Sequence, residues 1–270
     1  MITTEQKTGL ALVTGAASGL GFELSLLLAK DGYDLVLADV DAEKLQQAKL
    51  EIAALYASDI QLIIKDLSKC NVAQQIYEAL DGKAIDVLIN NAGFGIYGSF
   101  NDTDWEREAA MLNLHVLTTT HLTKLVLNGM VARNRGKILN MSSLAAFQPG
   151  PLMSLYYASK AYILSFSEAI ANELKGTGVS VTCLCPGQTN TCFQEVVANG
   201  ASVSDNKINF NIACPKQVAK YGYEAMQKGK VVAIPGNINK FLSKLPRFLS
   251  RKTATAVIRK IQEKNRVCKT

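Results

Sequence analysis

Short apolar runs rich in β-branched residues alternate with stretches of helical period from one end of the chain to the other. The runs fall at 10–13, 34–38, 60–64, 86–90, 136–141, 179–184 and 231–234. They are apolar throughout rather than at every second position, which is the pattern of strands covered on both faces. Helical stretches at 19–31, 42–56, 70–81, 103–129 and 157–176 stand between them as crossovers. The expected architecture is α/β: a doubly wound parallel sheet of about seven strands with helices on both faces, binding its ligand at the carboxyl ends of the strands. No repeat or long linker divides the 270 residues, so they read as one domain, with 236–270 a basic amphipathic helical C-terminal extension.

Composition narrows the class. With 48% hydrophobic and 19% charged residues the chain is neither disordered nor fibrous. No run approaches about 18 uncharged apolar residues and the first residues lack the order of a secretory leader, so a cytoplasmic location is expected. Six cysteines without a C-x-x-C pair, and only His115 and His121 beside them, point to no metal site; the cysteines are expected to be thiols, mostly buried. Formal charge is −6 over 1–215 and +12 over 216–270. Such a basic end can face an anionic membrane, gather an acidic ligand, or simply be the solvated face of peripheral helices, the last being favoured. No nucleic-acid-binding module is present.

The first strand runs into Thr14-Gly15-Ala16-Ala17-Ser18-Gly19-Leu20-Gly21 and then an apolar helix. Glycines there permit a tight turn and close backbone approach to a pyrophosphate, whose charge meets the N–H groups of a helix start. Eighteen residues beyond Gly21, Asp39 ends the second strand, where an acid hydrogen-bonds the ribose hydroxyls of NAD and repels the 2′-phosphate of NADP. Neither Ser18 nor Val40 supplies a compensating cation. Asp41 reads as the N-cap of the next helix.

A second constellation follows: Asn90-Asn91-Ala92-Gly93 after the fourth strand, Asn113 in a long helix, Ser142-Ser143 after the fifth strand, and Tyr156-Tyr157-Ala158-Ser159-Lys160. Tyr156 and Lys160 stand four apart and share a helix face. A free phenol ionises near pH 10, so proton exchange at neutrality needs about three units of help, of which a nearby ammonium supplies one to three. Tyr156 is thus a candidate acid/base, with a serine hydroxyl to polarise the same oxygen.

Taken in order and spacing, these motifs resemble the short-chain dehydrogenase/reductase family over essentially 1–235. The resemblance implies hydride transfer between NAD and a hydroxyl or carbonyl carbon. It makes Tyr156 the acid/base, Lys160 the ligand of the nicotinamide ribose that lowers the tyrosine pKa, and Asn113 part of the proton relay on the lysine side. Ser143, 13 residues before Tyr156, is preferred over Ser142, which reads as a hydrogen-bonding residue of the strand end. Gly15, Ser18, Gly19, Leu20, Gly21, Asp39, Asn91, Ala92 and Gly93 would line the cofactor. The Pro186-Gly187-Gln188-Thr189-Asn190-Thr191 turn would meet the nicotinamide, with a side-chain contact from Thr191, although such a turn needs no ligand. Asp66 and Leu67 resemble the pair flanking the adenine, while Asp66 can equally cap the following helix. Tyr157 points off the Lys160 face, as packing or substrate lining.

Substrate-side stretches carry Phe94, Ile96, Tyr97 and Phe100, then Leu144, Phe147, Leu152 and Met153, then Phe193, Val196 and Val197. Their apolar character suggests an apolar secondary alcohol or ketone, or else the floor of a closed loop. The tail resembles that of bacterial oxidoreductases grouped as DltE-like; members often carry arginine after the second strand, and Asp39 departs from that. The resemblance also implies a homodimer or homotetramer assembled through the long helices. The alternative is a non-catalytic dinucleotide-binding protein whose basic tail contacts a partner.

Overall fold

The computed structural model describes residues 8–190 and 213–265. Its elements in chain order are β1 (Gly9–Thr14), α1 (Gly19–Lys30), β2 (Tyr33–Asp39), α2 (Ala42–Leu55), β3 (Ile60–Ile64), α3 (Val72–Ala79), β4 (Val87–Asn90), α4 (Trp105–Leu112), α5 (Thr119–Ala132), β5 (Gly136–Met141), α6 (Ser154–Glu173), β6 (Val179–Leu184), α7 (Pro215–Gln227), β7 (Val232–Ala233), α8 (Asn237–Lys244) and α9 (Arg251–Asn265). The strands form one parallel sheet in the order β3-β2-β1-β4-β5-β6-β7. Chain order reverses between β1 and β4, and the crevice at that switch point is where a doubly wound sheet takes its ligand.

Alternation along β1 and β2 explains why their runs are apolar throughout. Ala11, Val13, Leu35 and Leu37 enter one core with Leu24 and Leu28 of α1, Leu45 and Ile52 of α2, and Val218 and Met226 of α7. Leu12, Val36 and Ala38 enter the opposite core with Ile76 of α3, Leu122 and Val126 of α5, and Ile170 of α6. The central side chains of these strands are buried on one face or the other, and polar residues stand only near the ends, at Thr14, Asp34 and Asp39.

The structure departs from the sequence expectations in several places. The helix expected over 103–129 is interrupted: Asn113–Thr118 is a π-helical turn between α4 and α5. Two threonines stabilise it, Thr119 donating to the Leu114 carbonyl (3.2 Å) and Thr118 reaching across to the Leu67 carbonyl (2.9 Å). The crossover from β6 to β7 contains α7, which is absent from the helices expected above although Val218, Ala219, Tyr223 and Met226 form a buried stripe along it. Of the cysteines expected to be mostly buried, Cys183 and Cys185 are, whereas Cys70 and Cys214 are exposed. As expected, the Asp41 side chain caps α2, accepting from the Lys44 amide at 3.0 Å.

Candidate active site

The glycine loop is shaped by close approach. Gly15 leaves β1 at φ +66°, and a methyl group there would stand 2.8 Å from Ala92 Cα. A methyl on Gly21 would collide with the Gly15 carbonyl, so α1 begins hard against the loop. Gly19 also has positive φ, +58°. Ser18 flanks α1 without capping it through its side chain, which leaves the amides of Gly19, Leu20 and Gly21 available to an anion at the positive end of the helix. This loop, which admits no side chain at two glycines and presents first-turn amides, fits the pyrophosphate of a dinucleotide.

Asn91 holds the loop from below. Its amide donates to the carbonyls of Thr14 (3.1 Å) and Gly15 (3.0 Å), and the Thr14 hydroxyl accepts from the Asn91 and Ala92 amides at 3.0 and 3.2 Å. Asp39 closes the other side. One carboxylate oxygen accepts from the Ala17 amide at 3.0 Å and the other from Val40 and Asp41, at 2.7 and 3.2 Å. The acid is therefore fixed between β2 and the glycine loop, where an adenosine ribose would lie.

Tyr156 and Lys160 meet on one face of α6, with Lys160 Nζ 5.7 Å from the centre of the tyrosine ring. The lysine is only 4% exposed and donates to the Met141 carbonyl at 3.0 Å; burial pushes its pKa down to about 8. His115, from the π turn, packs its ring edge to face with Tyr156 at 6.0 Å. Ser159 donates to the Tyr156 carbonyl (2.8 Å), so His115 Nδ1–H is the donor to Ser159 Oγ (2.9 Å) and Nε2 bears the lone pair. That Nε2 is buried with no hydrogen-bond partner among the described residues. Burial, then the Lys160 charge, holds the imidazole well below its usual range, hence neutral.

The two serines have different tasks. Ser142 is buried and donates to the Lys160 carbonyl (2.8 Å), a strand-end role as expected. Ser143 is half-buried and accepts from the Ala145 amide (3.1 Å), opening the 3₁₀ turn Leu144–Phe147 while its own hydrogen stays available to an oxygen in the cleft. The Pro186 carbonyl accepts from Leu144, which ties the serine turn to the Pro-Gly turn after β6. Thr189 donates back to the Gly187 carbonyl at 3.2 Å. Asn113 opens the π turn half-buried, and among the described residues its side chain makes no hydrogen bond to Lys160. Asp66 is engaged in its own turn: burial disfavours its charge, but two bonds from Ser68 and the nearby Lys69 ammonium hold its pKa down. Leu67 buries its side chain in the core, so only its backbone remains near any adenine. Thr191, Cys192, Phe193, Val196, Val197 and Cys268 lie outside the described residues.

Contacts from the tail were invisible to motif reasoning. Asn239 of α8, itself buried, lies beside Gly187, where a methyl would stand 3.0 Å from its amide, and it donates to the Pro235 carbonyl at 2.7 Å. Gln262 of α9 donates to the Tyr157 hydroxyl at 2.7 Å. The Tyr157 ring packs on Gly150, where no side chain fits, so it is a packing residue that joins the extension to α6. Of the apolar substrate-side residues, Ile96 and Met153 are buried, Phe94 packs 6.4 Å from His115, and Phe100 projects to the surface. Among the described residues no group of three His, Cys, Asp or Glu side chains can hold a metal.

The family model for short chain dehydrogenases matches residues 9–201, most of the chain. The chain belongs to the short-chain dehydrogenase/reductase family. Among curated relatives it is 34% identical over 192 residues to 17-beta-hydroxysteroid dehydrogenase type 3 of Mus musculus, covering 70% of this chain and 63% of that one. Over 251 residues it is 32% identical to the ketoacyl reductase HetN of a Nostoc species, covering 92% of this chain and 85% of that protein. The chain thus spans under two thirds of the steroid enzyme's length and 85% of the ketoacyl reductase's. A solved 7beta-hydroxysteroid dehydrogenase superposes with a TM-score of 0.84 at 26% identity, over 94% of this chain and 98% of that chain. Two further solved short-chain dehydrogenases share the fold. One from Burkholderia phymatum contains NAD (TM-score 0.79, 23% identity, 90% and 94% covered), and one from Sphingobium yanoikuyae contains NADPH (0.78, 24%, 90% and 97%).

Proposed function

We propose that this oxidoreductase transfers a hydride between NAD(H) and an apolar secondary alcohol or ketone, using Ser143, Tyr156 and Lys160. The observation that carries the reading is the Tyr156–Lys160 pair on one face of α6, with a buried ammonium against the tyrosine ring at the carboxyl end of the sheet. The dinucleotide, when bound, supplies or accepts the hydride. The glycine loop binds its pyrophosphate through the amides of Gly19, Leu20 and Gly21. Asp39 binds the adenosine ribose. Asn91, Ala92 and Gly93 shape the floor beneath the loop, and Pro186, Gly187 and Thr189 border the far end.

Tyr156 exchanges a proton with the substrate oxygen, Lys160 favours its ionised form by charge, and Ser143 donates to the same oxygen as negative charge develops there. His115 keeps to its neutral form and so adds no second cation beside Lys160. NAD is preferred over NADP because Asp39, anchored by three backbone amides, cannot swing away from a 2′-phosphate. The apolar substrate is supported by Ile96, Phe147 and Met153, and by the steroid and ketoacyl names of the relatives.

The test is Tyr156→Phe, assayed against a panel of steroid and 3-oxoacyl ketones with fluorescence titration of NADH alongside. Turnover is expected to fall at least ~10³-fold with NADH affinity unchanged; a variant that keeps its rate would remove Tyr156 from the chemistry.

A further inference from the structure

Helix α8 and the turn after it are inside out. Its polar residues Asn239 and Ser243 are buried against the domain, while Ile238, Phe241, Leu242 and Leu245 face solvent. Phe241 is 65% exposed, and Phe248 in the adjoining 3₁₀ turn is 84% exposed. Helices that serve only to cover a domain bury the apolar side and solvate the polar one. Here the inner side meets the polar Pro-Gly turn through Asn239, so the sequence has placed its large apolar groups outward by design of the packing rather than by chance exposure of one residue.

Exposed cations follow and interleave with these apolar residues along the chain. Lys244, Arg247, Arg251 and Lys252 are exposed on the same segment, and 236–270 holds ten lysines and arginines against Glu263 alone. Two copies meeting through this face would bring like charge together, which argues against self-association as its use. Among the described residues no helix is long and apolar enough to cross a membrane. Exposed apolar groups the size of phenylalanine interleaved with exposed lysine and arginine, on short helices, are the chemistry of a segment that lies in the interface of an anionic bilayer.

We propose that the outer face of α8 and the Leu245–Phe248 turn docks this protein on anionic membrane surfaces, Phe241 and Phe248 entering the headgroup boundary and Lys244, Arg247, Arg251 and Lys252 meeting the lipid phosphates. The same extension meets the turn at Gly187 through Asn239, so docking sets that end of the sheet close to the bilayer. The proposal stands independently of the substrate and cofactor read above.

The experiment is flotation of the full chain with vesicles of equal parts phosphatidylglycerol and phosphatidylcholine, against phosphatidylcholine alone, with circular dichroism as the check of folding. The protein is expected to float with the anionic vesicles and to be released by salt. Phe241→Ser with Phe248→Ser, and separately Lys244→Glu with Arg247→Glu, are each expected to weaken partitioning at least ~10-fold while leaving the spectrum unchanged. Folded wild type that stays with the aqueous fraction overturns the proposal, as does a serine double variant that floats like wild type. A wild-type dimer that the serine double variant splits, with no change in lipid binding, overturns it in favour of a second copy of the chain.

Discussion

His115 and Lys160 both stand against Gly93: a methyl group at Gly93 would stand 2.6 Å from His115 Nε2 and 3.5 Å from Lys160 Nζ. The imidazole comes from the π turn and the ammonium from α6, so the loop after β4 is the point where three elements of the site touch. Gly93→Ala forces either the imidazole or the lysine away from Tyr156. Turnover is expected to fall at least ~10-fold, and stability by about 1–3 kcal/mol, because the pocket has no room to give. Steady-state rates and urea unfolding of the variant check both; wild-type turnover would show that the His115–Lys160 spacing is not needed.

Burial of the Lys160 ammonium costs the fold stability. Its pKa is about 8 in the folded protein against 10.5 ordinarily, with burial the cause. Below the folded value both states hold the proton and the full cost applies. As pH rises from about 8 towards 10.5 the folded form sheds its proton first, and the cost is relieved. The shift corresponds to on the order of 3 kcal/mol, and the lost bond to the Met141 carbonyl offsets about 1 kcal/mol of it. Lys160→Met is therefore expected to abolish turnover yet raise unfolding free energy by about 2 kcal/mol at neutral pH, with the gain shrinking towards pH 10. Urea melts of both proteins at the two pH values decide it, and a gain that grew with pH would contradict the burial account.

Asp39→Arg is expected to move the ratio of NADPH to NADH affinity at least ~10-fold towards NADPH, by removing a carboxylate from the ribose and adding a cation for its phosphate. It also removes the acceptor of the Ala17 amide, so about 1 kcal/mol of stability should go with it. Fluorescence titration of both nucleotides at one ionic strength reads the ratio; an unchanged ratio would refute the role of this acid.

Tyr157→Phe deletes the hydroxyl that receives Gln262 and leaves the ring on Gly150. The amides of α9 are expected to exchange faster by several-fold, since the lost bond is worth about 1 kcal/mol. NADH affinity should be unaffected. Hydrogen exchange across 251–265 gives the answer, and unchanged protection there would mean that other contacts hold the extension.

Much of the site could be read without coordinates because its chemistry is written in short-range spacing. Gly15, Gly19 and Gly21 punctuate a strand-to-helix turn, and Tyr156 and Lys160 share a face because four residues make one helical turn. Asp41 as a cap and Ser142 as a strand-end residue follow from the same local rules. The π turn at Asn113–Thr118 could not be read this way: its apolar period continues smoothly from α4 to α5, and the bond from Thr118 that helps hold it ends on Leu67, 51 residues away. Asp66 offered two readings, and the geometry shows its carboxylate satisfied by Ser68.

The sequence by itself determined the succession of strands and most crossover helices, the doubly wound class and the candidate reacting groups, since periodicity, turn residues and i, i+4 spacing act over a few residues. Only the tertiary structure decided which groups are buried together. Burial lowers Lys160, the bond to Ser159 sets the His115 tautomer, and the Ala17 amide fixes Asp39, each through a partner far along the chain. It also decided that α8 turns its apolar side outward, because what a helix buries depends on the surface it meets, and Asn239 meets the polar turn at Gly187.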